Sequence, residues 1–196
     1  MRDETLPDQA PLTDALKLLG RDHDGVRRLL TALEQSALAD AGQVSTELVA
    51  QLVIAESGHE AVEEQYFWPL VRRRVQNGPR LADLAVSQEQ EARHVLDLLE
   101  KHGPGHPEFP ARLRQFIAIG RAHIEFEETD VWPWVRLALS EQELDDLGAQ
   151  LEQGKRLAPT RAHPNLPCTP EVLKVAAPIA GAADRIRDAL AGRNRD

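Results

Sequence analysis

Two stretches of the chain, 59–72 (HEAVEEQYFWPLVR) and 123–136 (HIEFEETDVWPWVR), carry one pattern without a gap: His-x-x-x-Glu-Glu-x-x-x-Trp-Pro-x-Val-Arg. Seven identities at a constant offset of 64 residues, His and Trp among them, mark an internal duplication of a functional segment. On a helix, residues four apart differ in direction by only about 40°, so His59 and Glu63 share a face, as do His123 and Glu127. Both faces read as apolar. Leu52, Ala55, Tyr66 and Leu70 surround the first histidine, and Phe116, Ile119 and Trp134 the second. An isolated carboxylate aimed into a core costs several kcal/mol or takes up a proton, and neither stripe contains a Lys or Arg. A metal ion is the natural counter-charge, because imidazole and carboxylate together suit iron, zinc or manganese.

The elements that must position these groups are helices. Leu, Ala, Glu, Arg and Gln dominate and aromatic residues are only 4%, a composition that favours helix over sheet. Apolar spacing predicts a first helix over 12–38, a second from about Leu48 to Asn77, a third from Pro79 to Lys101, and a fourth from about Leu113 to Ser140. Ser140 and Glu143 then form a capping box for a short extra helix. Short connections predict an all-α, up-down-up-down four-helix bundle over 1–154. Residues 155–196, punctuated by Pro159, Pro164, Pro167 and Pro170, read as a Pro-rich C-terminal tail with a short helix near 180–190. Trp68, Trp132 and Trp134 read as packing residues that close one end of the bundle, with Pro69 and Pro133 ending or kinking their helices.

On this scaffold His23 falls in the first stripe between Leu16 and Leu30, and His94 lies at the edge of the third beside Val95 and Leu98. Each long helix thereby offers one histidine to the centre. Four imidazoles with two or three carboxylates are too many donors for one zinc and suit two six-coordinate, carboxylate-bridged metals. Other chemistries are disfavoured. A formal net charge of −9 repels nucleic acid and anionic lipid, and Cys168, the lone cysteine, rules out an intrachain disulfide or a thiolate cage. With no apolar segment of signal or spanning type, the expected location is the cytosol, away from the membrane.

These residues resemble the HHE cation-binding domain of the hemerythrin family over roughly 12–140, and the tail resembles that of actinobacterial hemerythrin-like proteins. The resemblance implies a non-haem site with two Fe ions, oxo- or hydroxo-bridged and carboxylate-bridged, held by His23, His59, Glu63, His94, His123 and Glu127. It departs from the oxygen carriers at two places. Gln90 stands where they have a further histidine, and Glu60 is the available substitute ligand on the second helix. On the fourth helix the carriers' carboxylate position is Glu128, but Glu127 is the one directed inward. A site richer in carboxylate favours the ferric state, which disfavours reversible oxygen carriage. The expected ligands are O2, H2O2 or NO, with catalase-like peroxide handling foremost; the alternative is an oxygen- or iron-binding or sensing module without turnover.

Overall fold

The computed structural model describes residues 14–39, 44–163, 178–185 and 187–188, and every regular element among them is helical. Pro164, Pro167, Cys168 and Pro170 lie outside the described residues. The first helix is α1 (Ala15–Ala39). The second rod begins as α2 (Thr46–Val62), passes through a π-helical turn (Glu63–Phe67) and continues as α3 (Trp68–Arg74). The third is α4 (Gly78–His102). The fourth repeats the second: α5 (Phe109–Phe126), a π-helical turn (Glu127–Val131) and α6 (Trp132–Ala138). Finally α7 (Glu141–Lys155) opens on the expected capping box, with Ser140 Oγ accepting from the Glu143 amide and the Glu143 carboxylate accepting from the Ser140 amide at 2.9 Å. Among the described residues no helix is long and apolar enough to cross a membrane.

α1 packs on α2 and α5, while α4 packs on α3 and α5. The buried seam of α1 is Leu16, Leu19, His23, Val26, Leu30 and Leu33, in steps of three and four. That of α4 is Ala82, Ala85, Glu89, Ala92, Leu96 and Leu99. The apolar residues divide into two clusters. One includes Leu16, Leu19, Phe67, Trp68, Val71, Trp132 and Leu147. The other includes Val26, Leu30, Leu33, Leu52, Leu96, Leu99, Phe109 and Phe116. In each seam the residue between the clusters is ionisable, so the core is interrupted by a polar layer.

Both π turns start at the Glu-Glu pair of the duplicated motif and end just before Trp-Pro. The Trp68 amide donates to the Glu63 carbonyl and the Trp132 amide to the Glu127 carbonyl, each across five residues. Pro69 and Pro133 have no N–H to continue the ordinary ladder, and a widened turn removes the clash of their rings with the preceding turn. The extra residue rotates everything after it. Trp134, expected inside from uninterrupted spacing, is therefore 44% exposed, and Trp132 takes the interior position. Leu84, placed in the apolar stripe of the third helix by its spacing, is likewise exposed, because the α4 seam runs through alanines instead.

The tail is partly packed. Ala158, Thr160 and Ala162 are buried, and helical residues at 178–185 and 187–188 lie against them. The Thr160 amide donates to Asp184 and Arg161 reaches both Glu100 and Asp188.

At the corner between the second and third rods, Asn77 adopts a left-handed φ of 57° and a Cβ on Gly78 would lie 2.0 Å from the Val71 carbonyl oxygen. No side chain can shift to relieve a contact with backbone. Gly78→Ala is expected to lower the unfolding free energy by on the order of 2 kcal/mol, read from denaturant melts; a variant as stable as the wild type would contradict this corner geometry.

Candidate metal centre

The polar layer holds two groups of donor atoms, each group drawn together to within 4.8 Å: His23, His59, Glu63 and Glu127 in one, and Glu63, Glu89, His123 and Glu127 in the other. Glu63 and Glu127, both 0% exposed, belong to both groups. The duplicated segment supplies four of the six residues, α1 supplies His23 and α4 supplies Glu89.

The geometry is that of converging donors. His59 Nε2 lies 3.2 Å from Glu63, His23 Nε2 3.2 Å from Glu127, and His123 Nε2 3.0 Å from Glu127. Yet these three nitrogens, both oxygens of Glu63 and of Glu127, and Glu89 Oε2 have no hydrogen-bond partner among the described residues. Orphaned buried polar atoms on this scale call for an occupant. A cation between them would satisfy nitrogen and oxygen donors at once, and the donor set fits iron.

The opposite side of each ring is held. His23 Nδ1 donates to Glu128 at 2.9 Å, His59 Nδ1 to Asp22 at 3.3 Å, and His123 Nδ1 to Gln88 at 3.0 Å. Each partner fixes the tautomer that leaves the Nε2 lone pair facing the centre. The partners are themselves anchored, Glu128 by Arg27 at 2.6 Å and Asp22 by Lys155 on α7. Trp68 Nε1 donates to Glu89 Oε1 at 2.5 Å, and the Trp132 ring stacks on His23 with centroids 5.0 Å apart.

Two expectations are corrected. His94 is exposed and its Nδ1 donates to the Gln90 carbonyl at 2.7 Å, so it faces away from both donor groups. Five residues of helix separate it from Glu89, a rotation of about 140°. Glu60 is buried but is taken by Arg93, whose Nε donates to it at 2.9 Å and whose other terminus donates to Glu64 at 2.8 Å. The cation missing from the two repeat stripes thus arrives from α4. The inward pair on α4, four residues apart, is Glu89 and Arg93, one residue before Gln90 and His94, the positions to which the family resemblance pointed. The steps 82, 85, 89, 92, 96 and 99 carried the signal for Glu89, but three of those residues are alanines, which weigh little against Leu81, Leu84 and Leu98. His23, His59, Glu63, His123 and Glu127 are brought together in the centre, and Glu128 lies behind His23.

Burial, reinforced by the other carboxylates, pushes Glu63 and Glu89 well above the usual carboxyl range, and burial pushes Glu56, one turn before His59, up to about 8. Burial opposes protonation of His123, but the adjoining Glu127 carboxylate outweighs it and lifts the imidazole to about 9. Glu127 is held far below its ordinary value, since His123 and His23 overcome its burial. Burial pulls His59 down.

Glu89→Gln is expected to cut bound metal to about half the wild-type content while His94→Ala leaves it unchanged, as measured by elemental analysis; the reverse order would restore His94 to the site. For the metal-free protein the sign of the pH dependence follows from the raised groups. Glu56, Glu63, Glu89 and His123 bind protons more tightly folded than unfolded, so their stabilisation is complete below their unfolded pKa values. It is lost as pH rises through the folded ones, which lie at about 8 for Glu56 and about 9 for His123. The opposite contributions of Glu127 and His59 are lost only as pH falls, below the ordinary carboxyl and imidazole values respectively. The melting temperature in chelator should therefore fall between pH 7 and pH 9, and a flat or rising profile would argue against these burials.

Residues 14–135 match the family described as Hemerythrin HHE cation binding domain. An uncharacterized hemerythrin-like protein of Schizosaccharomyces pombe is 24% identical over 171 residues, which span 87% of this chain and 83% of that protein. A DNA nickase of Nostoc sp. is 26% identical over 134 residues, 68% of this chain but only 37% of the relative. Among solved structures, a Hemerythrin HHE cation binding domain-containing protein of Mycobacterium kansasii superposes with a TM-score of 0.61 at 19% identity, over 74% of this chain and 88% of that one, a likeness of fold. With its His/Glu cluster in the core of an all-helical fold, the chain belongs to the hemerythrin HHE cation-binding family.

Proposed function

We propose that the chain is a cytosolic non-haem protein that holds two iron ions and reacts with peroxide, oxygen or nitric oxide, with catalase-like peroxide handling as its leading chemistry. One observation carries the reading: the two donor groups overlap in Glu63 and Glu127, so two carboxylates are common to both, as a carboxylate-bridged metal pair requires. His23 and His59 would complete one position, and Glu89 and His123 the other. Iron held there would supply redox chemistry that no side chain of this protein can.

The chain's own contribution is electrostatic and steric. Three imidazoles stand against three carboxylates, one imidazole fewer than in the set of four histidines with Glu60, Glu63 and Glu127 expected from sequence, and this share of carboxylate favours the higher oxidation state and weighs against reversible carriage. Arg93 occupies Glu60 and Glu64, limiting the carboxylates that face the centre. Glu128, Asp22 and Gln88 hold the rings in place, and the apolar clusters on either side keep bulk water out. The alternative, an oxygen- or iron-binding module that senses without turnover, draws support from Asp22. That carboxylate joins His59 to Lys155, so a change at the ring reaches α7.

Protein purified from iron-replete cells is expected to carry about two irons per chain with near-ultraviolet oxo-iron absorption, and to lose both in the His59→Ala, Glu127→Ala double variant. It should consume hydrogen peroxide faster than the same concentration of free iron. Consumption no faster than free iron would remove the catalase reading, ligand-dependent proteolysis without turnover would favour the sensing module, and about one zinc with no such absorption would leave a structural metal site.

A further inference from the structure

A groove runs along the outside of the bundle between α1 and α5, the helices that carry His23 and His123, and shares no residue with the metal centre. Its volume is about 410 Å³, within the range of small-molecule sites. α5 lines it from Pro110 to Arg121, a length of about 16 Å, and α1 lines it with the turn from Glu34 to Leu38. Leu113 and Ile117 form the floor, 1% and 5% exposed, and belong to the core. On an amphipathic surface helix the walls above such a floor are polar. Here they are Ala37, Leu38, Pro110 and Ala118, all exposed. No aromatic ring lines the groove, so its surface suits a flexible aliphatic chain better than a flat ring.

The charge left over at the rim has one sign. Glu34, the one acid that lines the groove among the described residues, has its oxygens taken by the Arg121 guanidinium at 3.2 and 2.7 Å. Arg114 has no ion pair among the described residues. Its neighbours three and four positions away along the helix are Pro110, Ala111, Ile117 and Ala118, none of them acidic. In a chain of formal net charge −9, the groove thus carries an uncompensated positive charge. An aliphatic floor with a cation at its edge is complementary to an apolar chain that ends in an anion.

We propose that this groove binds a medium-chain aliphatic monocarboxylate, its chain lying over Leu113 and Ile117 and its carboxylate on the Arg114 guanidinium. A guanidinium offers paired N–H donors to the two carboxylate oxygens, a match that a point charge does not give. The chain displaces water from Leu38, Ala37 and Ala118, and this apolar burial supplies most of the affinity. The head-group contact, made at an exposed site, adds less affinity and fixes the orientation.

The test is calorimetric titration of the full chain with octanoate, decanoate and dodecanoate, each below its micelle concentration. Affinity should rise about threefold per methylene, less than the roughly fourfold of complete burial because one side of the groove is open to solvent. Decyltrimethylammonium, with the same chain length and the opposite charge, should bind about tenfold more weakly than decanoate. Arg114→Gln should weaken decanoate about threefold and Arg114→Glu about tenfold, and Arg114→Glu should remove the preference for the anionic head. Ala118→Trp, a change at an exposed position that sets an indole in the groove, should abolish detectable binding and leave helicity and metal content unchanged. No decanoate bound by the wild type, an affinity independent of chain length, equal binding of the two head groups, or binding unchanged in Ala118→Trp would each overturn the assignment. Self-association of the wild type that Ala118→Trp abolishes, with no carboxylate bound, would overturn it too and give the groove to a second copy of this chain.

Discussion

The structure turns on the burial of a layer of imidazoles and carboxylates between two apolar clusters. Each long rod surrenders one or more seam positions to an ionisable residue, and the apolar packing on either side prevents water from rescuing them. In a low-dielectric layer such groups are stable only when each has a partner. The chain solves this in three ways. Arg93 neutralises Glu60 and Glu64. Polar residues behind the rings, Glu128, Asp22 and Gln88, take the outward nitrogens. The remaining lone pairs of His23, His59, His123, Glu63, Glu89 and Glu127 are turned toward common points, where a cation would satisfy them together.

The backbone is shaped to the same end. A regular helix would carry Trp68 and Trp132 round to other faces; the π turns at Glu63 and Glu127 widen the ladder by one residue and bring those indoles back against the centre, where Trp68 holds Glu89 and Trp132 covers His23. Both turns fall at the same place in the repeat, so the local geometry belongs to the duplicated unit. The halves then diverge in what they present inward. Glu60 corresponds to Ile124 in the repeat, and Glu56 to Gly120, so the first half is rich in carboxyl where the second is apolar or empty. The duplication makes a pseudo-symmetric frame, and the substitutions make the two sides of the centre chemically different.

Much of this was legible from residue spacing. The helices, the capping box at Ser140 and the inward direction of His23, of the two His-x-x-x-Glu pairs and of Glu127 over Glu128 all follow from local periodicity, which a straight helix preserves. Legibility failed where the physics was not local. The π turns broke the extrapolation to Trp134. On α4, alanine marks a buried seam only when neighbouring helices approach closely, so leucines at the edge drew the stripe one residue out of phase and exchanged Glu89 for His94. Arg93 escaped for a different reason: a buried arginine is uncommon, and only the meeting of α2 and α4 reveals the two glutamates that justify it.

One contact changes what counts as the unit of this fold. The family match ends at residue 135, and α7 begins at Glu141. Yet the ammonium of Lys155, at the last residue of α7, lies on the same Asp22 carboxylate that steadies His59. The family match therefore ends inside the electrostatic unit. Residues 14–135 contain every inward donor, but the charge that keeps Asp22 in place comes from beyond them, so a transplant of the shared domain alone would carry the ligands and leave one of their supports behind.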